Sequence, residues 1–228
     1  MDRLLAFCRV DGRFLGLAKS ATTQQDLPQL PSGNQETGHS SLTPQTHSLR
    51  YLPIVRTTLF IATSLDGYIA GPDDDVSWLF TDADYGFDEF YPTVDTLIMG
   101  RGTYNVLQKM GRWPYHDKRT MVVTRSEKLE ITTPNTAFFN GSLPDLEKLL
   151  KEQGVKRSWL VGGGELIAGY LNAHLVEEVV VSVHPILLGH GVPLFPTSIP
   201  STRLQLIDAE SFDSGLVQLR YKIKPVSS

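Results

Sequence analysis

From residue 56 onward the hydrophobic positions switch between a two-residue period and a three-to-four-residue period, which predicts strands alternating with helices. Residues 57–63, 96–99 and 119–124 read as strands, each rich in Val, Ile, Leu or Thr. Residues 101–110 form a short helical stretch that Gly111 stops. A longer one covers 143–153: Ser142 stands as N-cap, Asp145 follows three residues on, Gly154 ends it, and Leu143, Leu146, Leu149 and Leu150 share one face. Residues 158–161 then make a strand that runs through Gly162, Gly163 and Gly164 into a helix over 165–172, with another strand at 176–184. The stretch 204–223 breaks at Asp213-Ser214-Gly215 and reads as an antiparallel hairpin. Such an order predicts an α/β fold with a mixed, mainly parallel sheet.

The first 54 residues have a different texture. From 20 to 50, 21 of 31 residues are Ser, Thr, Gln, Asn, Pro or Gly, too polar a run to offset the entropy of ordering it. The expected organisation is therefore a disordered or loosely attached extension over 1–54 and one domain over 55–228. Asp2 and Asp11 argue against a transit peptide, and residues 1–19 lack the sustained apolar core of a signal peptide. No apolar run reaches the roughly 20 residues of a membrane helix. The expectation is a cytoplasmic protein.

Charge narrows the partner class. The net charge is −4, with 21 basic and 25 acidic residues spread along the chain, so there is no basic footprint for nucleic acid. Cys8 is the only cysteine, which excludes an intramolecular disulfide, and the six histidines show no metal-ligand spacing. Small-molecule chemistry remains.

Three strand ends carry groups suited to phosphate. Gly162, Gly163 and Gly164 let a ligand approach the backbone, and the helix that follows, from Glu165, offers N–H donors and a positive dipole end. The segment is not a P-loop, since no Gly-Lys-Ser/Thr follows, and Ile167 stands where a dinucleotide fingerprint has its last glycine. At a second strand end, Gly100 allows close approach while Arg101 and Thr103 offer a cation and a hydroxyl. A third ends in Thr124-Arg125-Ser126. Each feature alone also reads as an ordinary turn or a solvated charge; together they fit a ligand lying across the carboxyl edge of an open sheet.

These segments, with Thr63-Ser64-Leu65-Asp66-Gly67-Tyr68 before them and Pro185 to Phe195 after, resemble the dihydrofolate-reductase-like superfamily. The similarity is closest to the reductase domain of the bifunctional riboflavin-biosynthesis deaminase-reductase and covers about residues 56–224. No His-x-Glu with Pro-Cys-x-x-Cys occurs, so the zinc deaminase half is absent. The resemblance implies a mostly parallel sheet of about eight strands, flanking helices and bound NADPH. It implies that Gly162, Gly163, Gly164 and the helix start at Glu165 hold the pyrophosphate, that Gly100, Arg101 and Thr103 meet the adenosine-side phosphates, and that Thr124, Arg125 and Ser126 surround the 2′-phosphate. The 64–68 loop, with Ser64, would face the nicotinamide and the substrate, and a homodimer is expected.

For substrate chemistry, Asp66 is the nearest candidate acid or base, against the alternative that Asp-Gly caps a turn. Asp84, Asp88 and Glu89 lie where a carboxylate could pair with a pterin ring. Tyr68, Trp78 and Trp113 are candidates for a ring site, and His190 for a flanking position. Tyr68 departs from the pattern of the riboflavin reductases, which carry a basic residue after this Asp-Gly. The resemblance implies reduction of a small heterocycle, in first place the ribosylamino group of 5-amino-6-(5-phosphoribosylamino)uracil. Dihydrofolate reduction and non-catalytic NADPH binding are the alternatives.

Overall fold

Strand β1 (Arg56–Ser64) buries every residue after the first, and a strand hidden on both faces must be covered twice. The computed structural model describes residues 55–109, 111, 113–126, 130–196 and 199–224; the expected extension over 1–54 lies outside them. After β1 come β2 (Tyr68–Ala70), α1 (Phe87–Phe90), β3 (Thr96–Gly100), α2 (Arg101–Lys109), β4 (Arg119–Val123) and β5 (Thr136–Phe139). The chain continues through α3 (Leu143–Glu152), β6 (Arg157–Gly162), α4 (Gly164–Asn172), β7 (Glu178–His184), β8 (Val192–Pro193), β9 (Leu204–Ser211) and β10 (Val217–Ile223).

Eight strands form one sheet in the order β5-β4-β3-β6-β1-β7-β10-β9. The first six are parallel, and β10 runs antiparallel to both β7 and β9. Strands β2 and β8 make a separate antiparallel pair. The α/β class, the eight-stranded sheet and the closing hairpin agree with the sequence reading. Ser142 caps α3 as expected, accepting from the Asp145 N–H at 3.3 Å. Strand β5 and the single-turn helix α1 went unread, being four residues each.

Alternation along the strands sends side chains to two cores. On one face Leu59, Ile61, Ile98, Leu160, Val179 and Val181 meet Leu146 and Leu150 of α3 and Ile167 and Leu171 of α4. On the other, Phe60, Leu97, Met99 and Trp159 meet Phe87 and Phe90 of α1 and Tyr104 and Leu107 of α2. Trp159 anchors this second core: its indole donates to the Phe60 carbonyl at 2.9 Å, and its ring packs edge-on against Phe87, Phe90, Tyr91 and Tyr115.

Chain order explains the two layers. From β1 the chain steps outward through β3 and β4 to β5, then returns to β6 and β7, and right-handed crossovers in opposite directions place helices on opposite faces. The helices after the neighbouring strands β3 and β6, α2 and α4, therefore leave for opposite sides. Between those strand ends a crevice opens, the place where ligands of open α/β sheets bind.

Candidate active site

The crevice is shaped by glycines for three different reasons. Gly162 has φ +124°, a conformation that a side chain would strain, and its peptide bond to Gly163 is cis. A Cβ on Gly163 would come into contact with the Thr103 hydroxyl at 3.4 Å. A Cβ on Gly164 would lie 2.6 Å from the Pro193 carbonyl, so only glycine lets α4 begin against β8. Gly163 is the N-cap of α4 and no side chain caps that helix, which leaves its first N–H groups for a ligand. Glu165 is exposed in the first turn.

Because β4, β3 and β6 are neighbours, the three phosphate-type segments sit side by side along one edge of the sheet. The 64–68 loop follows at the end of β1, next to β6. Four strand ends at about 4.8 Å spacing span roughly 14 Å, enough for an extended ligand. The Thr124 hydroxyl accepts from the Ser126 N–H at 3.1 Å and shapes the turn that presents the exposed Arg125. Arg101 is exposed at the first residue of α2. Neither arginine has an acidic partner among the described residues, whereas the salt bridges described there, Arg56–Glu177, Lys222–Glu177 and Arg220–Glu178, all lie elsewhere.

Thr103 and Gly163 also form one end of a cavity of about 280 Å³. Its floor is the sheet, through Phe60, Ala62, Trp159 and Val161; α2 supplies Val106 and Leu107, and the 71–80 segment supplies Asp74, Val76 and Leu79. This segment is organised by Asp75, whose carboxylate accepts from the Ser77 N–H and hydroxyl and whose carbonyl accepts from Gly71 N–H and the Trp78 indole. His184 ties it to β7. The ring is buried, its Nε2 accepts from the Phe80 N–H at 3.2 Å, and its Nδ1 faces the Ser182 carbonyl at 3.3 Å. That pattern requires the neutral ring with its proton on Nδ1, and burial pushes the His184 pKa down in the same direction.

Asp66 caps the turn. Its carboxylate accepts from the Ser64 hydroxyl at 2.6 Å, the Gly189 N–H at 2.7 Å and the Leu188 N–H at 3.1 Å. The Ser64 bond, with smaller help from the Gly189 and Leu188 amides, holds its pKa below the usual carboxylate value. It is exposed, does not line the cavity, and clasps the 64–68 loop to the 185–191 loop.

Other expected residues also move. The buried Ser64 hydroxyl is used within the turn, donating to Asp66 and accepting from the Tyr68 N–H. The Tyr68 hydroxyl donates to the Gly189 carbonyl, and Trp78 packs edge-on against His184 at 5.2 Å; neither lines the cavity. Trp113 packs on Tyr104 and Tyr115, and His190 is exposed on its loop. Asp84, Asp88 and Glu89 are exposed around α1, with Asp84 accepting from the Asp88 N–H. The acid that does line the cavity, Asp74, and the anchoring His184 were both missed. A clue to the cavity was available: Phe60, Ala62, Trp159 and Val161 occupy alternate positions of neighbouring strands.

Comparison with known proteins agrees with this architecture. The RibD C-terminal domain family matches residues 56–218. The uncharacterized protein YwjB of Bacillus subtilis is 35% identical over 170 residues, 73% of this chain and 97% of that protein. A putative riboflavin biosynthesis protein from Shewanella sp. PV-4 is 32% identical, with a TM-score of 0.69 over 75% of this chain and all of that one. Dihydrofolate reductase from Enterococcus faecalis, solved with NADP(H), shares the fold at 14% identity and a TM-score of 0.57, covering 76% of this chain and 99% of its own. Among the described residues no helix is long and apolar enough to cross a membrane. With a dihydrofolate-reductase-like sheet and glycine-lined crevice, the chain belongs to the RibD C-terminal domain family.

Proposed function

We propose that this chain is an NADPH-dependent reductase of a small planar heterocycle. The observation that carries the reading is the crevice at Gly163, where a glycine faces Thr103 next to an uncapped helix start and lines a cavity large enough for a ring. Those residues fit a dinucleotide. Gly162, Gly163, Gly164 and the first N–H groups of α4 would hold the pyrophosphate, with Arg101 and Thr103 beside it. Thr124, Arg125 and Ser126 would surround the 2′-phosphate, and an exposed arginine without an acidic partner among the described residues favours that dianion over a bare hydroxyl.

When bound, NADPH supplies a hydride to the substrate. The chain's own task is alignment. The sheet floor at Ala62 and Trp159 and the wall at Val106 and Leu107 fix the plane of the ring and exclude water. His184 holds the 71–80 wall in place, and the Asp66 clasp fixes the two loops beside it. The family resemblance favours a pyrimidine derivative, as in aminouracil reductases, over a folate.

Two readouts test the proposal. NADPH added to the protein should quench Trp159 emission and give sensitised nicotinamide emission, because Trp159 lines the cavity. A panel of pyrimidines and pteridines should then contain a substrate that oxidises NADPH. Absence of both signals in folded protein would refute the reading; cofactor binding with no turnover of any ring would leave a binding protein.

A further inference from the structure

We infer that the cavity takes a neutral or cationic ring bearing N–H donors and rejects a phosphorylated one. This rests on the reductase reading for its purpose, but its physical basis is the cavity wall alone.

Among the described residues, the wall carries no charged side chain that could neutralise a phosphate. Among the described residues, those reaching the cavity from the sheet and β2 are apolar or aromatic, α2 adds Gly102, Thr103, Val106 and Leu107, and the remaining polar side chains are Asp74 and the otherwise buried Tyr115. Asp74 is the only charged one of the described lining residues. Arg101 lies two positions before Thr103, on a different side of the helix, and is not part of the lining. A phosphate taken into this space away from the Gly163 end, on the side of Asp74, would be desolvated without a counter-charge and placed near a carboxylate, two penalties with the same sign.

Asp74 also indicates what is accepted. It stands exposed at the rim with no hydrogen bond or ion pair among the described residues, so both its oxygens are free to accept. An amino group or ring N–H offered there would gain a charge-assisted bond. Apolar walls above and below suit the faces of a planar ring. The chemical class is thus a neutral or cationic nitrogen heterocycle or aryl amine, without a phosphate ester arm. A phosphoribosylamino side chain does not fit it.

A matched probe series on the full chain separates the possibilities: 1-naphthylamine, 1-naphthol and 1-naphthyl phosphate, titrated by their fluorescence, with NADPH binding measured in the same preparation. Amine and naphthol, which both offer a donor, are expected to bind, with the phosphate ester at least tenfold weaker than naphthol. Asp74→Asn should weaken both donors and strengthen the phosphate ester. Val106→Arg, with folding checked by circular dichroism, should reverse the preference between naphthol and its phosphate. Phosphate binding as tight as naphthol, or no binding by any probe, would overturn the inference. If NADPH binds while the phosphate ester is preferred, the substrate class is wrong and the reductase reading stands. If the rings bind in the expected order without any response to NADPH, the reverse holds.

Discussion

The two ends of strands β1 and β6 are built on opposite principles. At their amino ends the polar groups are closed upon one another: the Thr57 and Ser158 hydroxyls share a buried hydrogen bond of 2.8 Å, and Thr57 also lies 3.5 Å from the Glu147 carboxylate of α3. The buried Tyr170 hydroxyl faces Glu147 without a well-aligned hydrogen bond, and burial together with that carboxylate pushes its pKa up. Burial likewise raises Glu147, to about 7, against the smaller opposing effects of Tyr170 and Thr57. At the carboxyl ends of β6, β3 and β4, glycines replace side chains, the first N–H groups of α4 are uncapped and, among the described residues, Arg101 and Arg125 stand without acidic partners. One end spends its polar groups on the fold; the other keeps them for a ligand. Substitutions at the two ends should accordingly affect different measurements.

The largest effect is expected at Gly163. Gly163→Val places a branched side chain where the dinucleotide would approach the backbone, and a clash of about 3 kcal/mol with the ligand would weaken NADPH by roughly a hundredfold in calorimetric titration. Its backbone, at φ −85°, suits a side chain, so the melting temperature should change little. A large loss of stability would show that the crevice belongs to the core instead. Next, Arg125→Ala should cost NADPH roughly 2 kcal/mol while NADH is nearly unaffected, as for a lost bond to a charged group. Equal weakening of both cofactors would remove Arg125 from the 2′-phosphate site.

At the amino end, Glu147→Gln should alter stability and leave cofactor affinity alone. A raised pKa means that the folded state holds the proton longer than the unfolded one, so Glu147 contributes stability below pH 4.5 that is lost as pH rises to about 7. The variant should therefore match the parent near pH 4.5 and exceed it above pH 7, by roughly 1 to 2 kcal/mol after allowing for solvent screening. A constant difference across pH would rule out Glu147 as the titrating group. The smallest effect is expected of Asp66→Asn. Its depressed pKa gives stability present above the unfolded carboxylate value and lost on acidification, so a slight fall in melting temperature at neutral pH should vanish in acid. The pH profile of any turnover should keep its shape, which a catalytic Asp66 would not allow.

How far the sequence could be read follows the same division. The glycine-lined strand ends were legible because local chemistry alone defines them, and the hairpin because Asp213-Ser214-Gly215 marks its turn. Strand β5 was not: Thr136-Ala137-Phe138-Phe139 is short and only partly buried. The cavity was hidden because its walls come from segments as distant as Ala62 and Trp159, which only the parallel pairing of β1 with β6 brings together. Asp66 was ambiguous for a related reason. Its clasp depends on Leu188 and Gly189, more than 120 residues away, whose amides no local pattern could assign to it.

The most direct test of the central claim is a thermal-shift titration of the full chain with NADPH and NADH in parallel, with Gly163→Val as control, since a ligand that binds only the folded state raises its melting temperature. The account predicts a larger rise with NADPH than with NADH, lost in the variant. No rise with either cofactor, or a rise that Gly163→Val leaves intact, would contradict it.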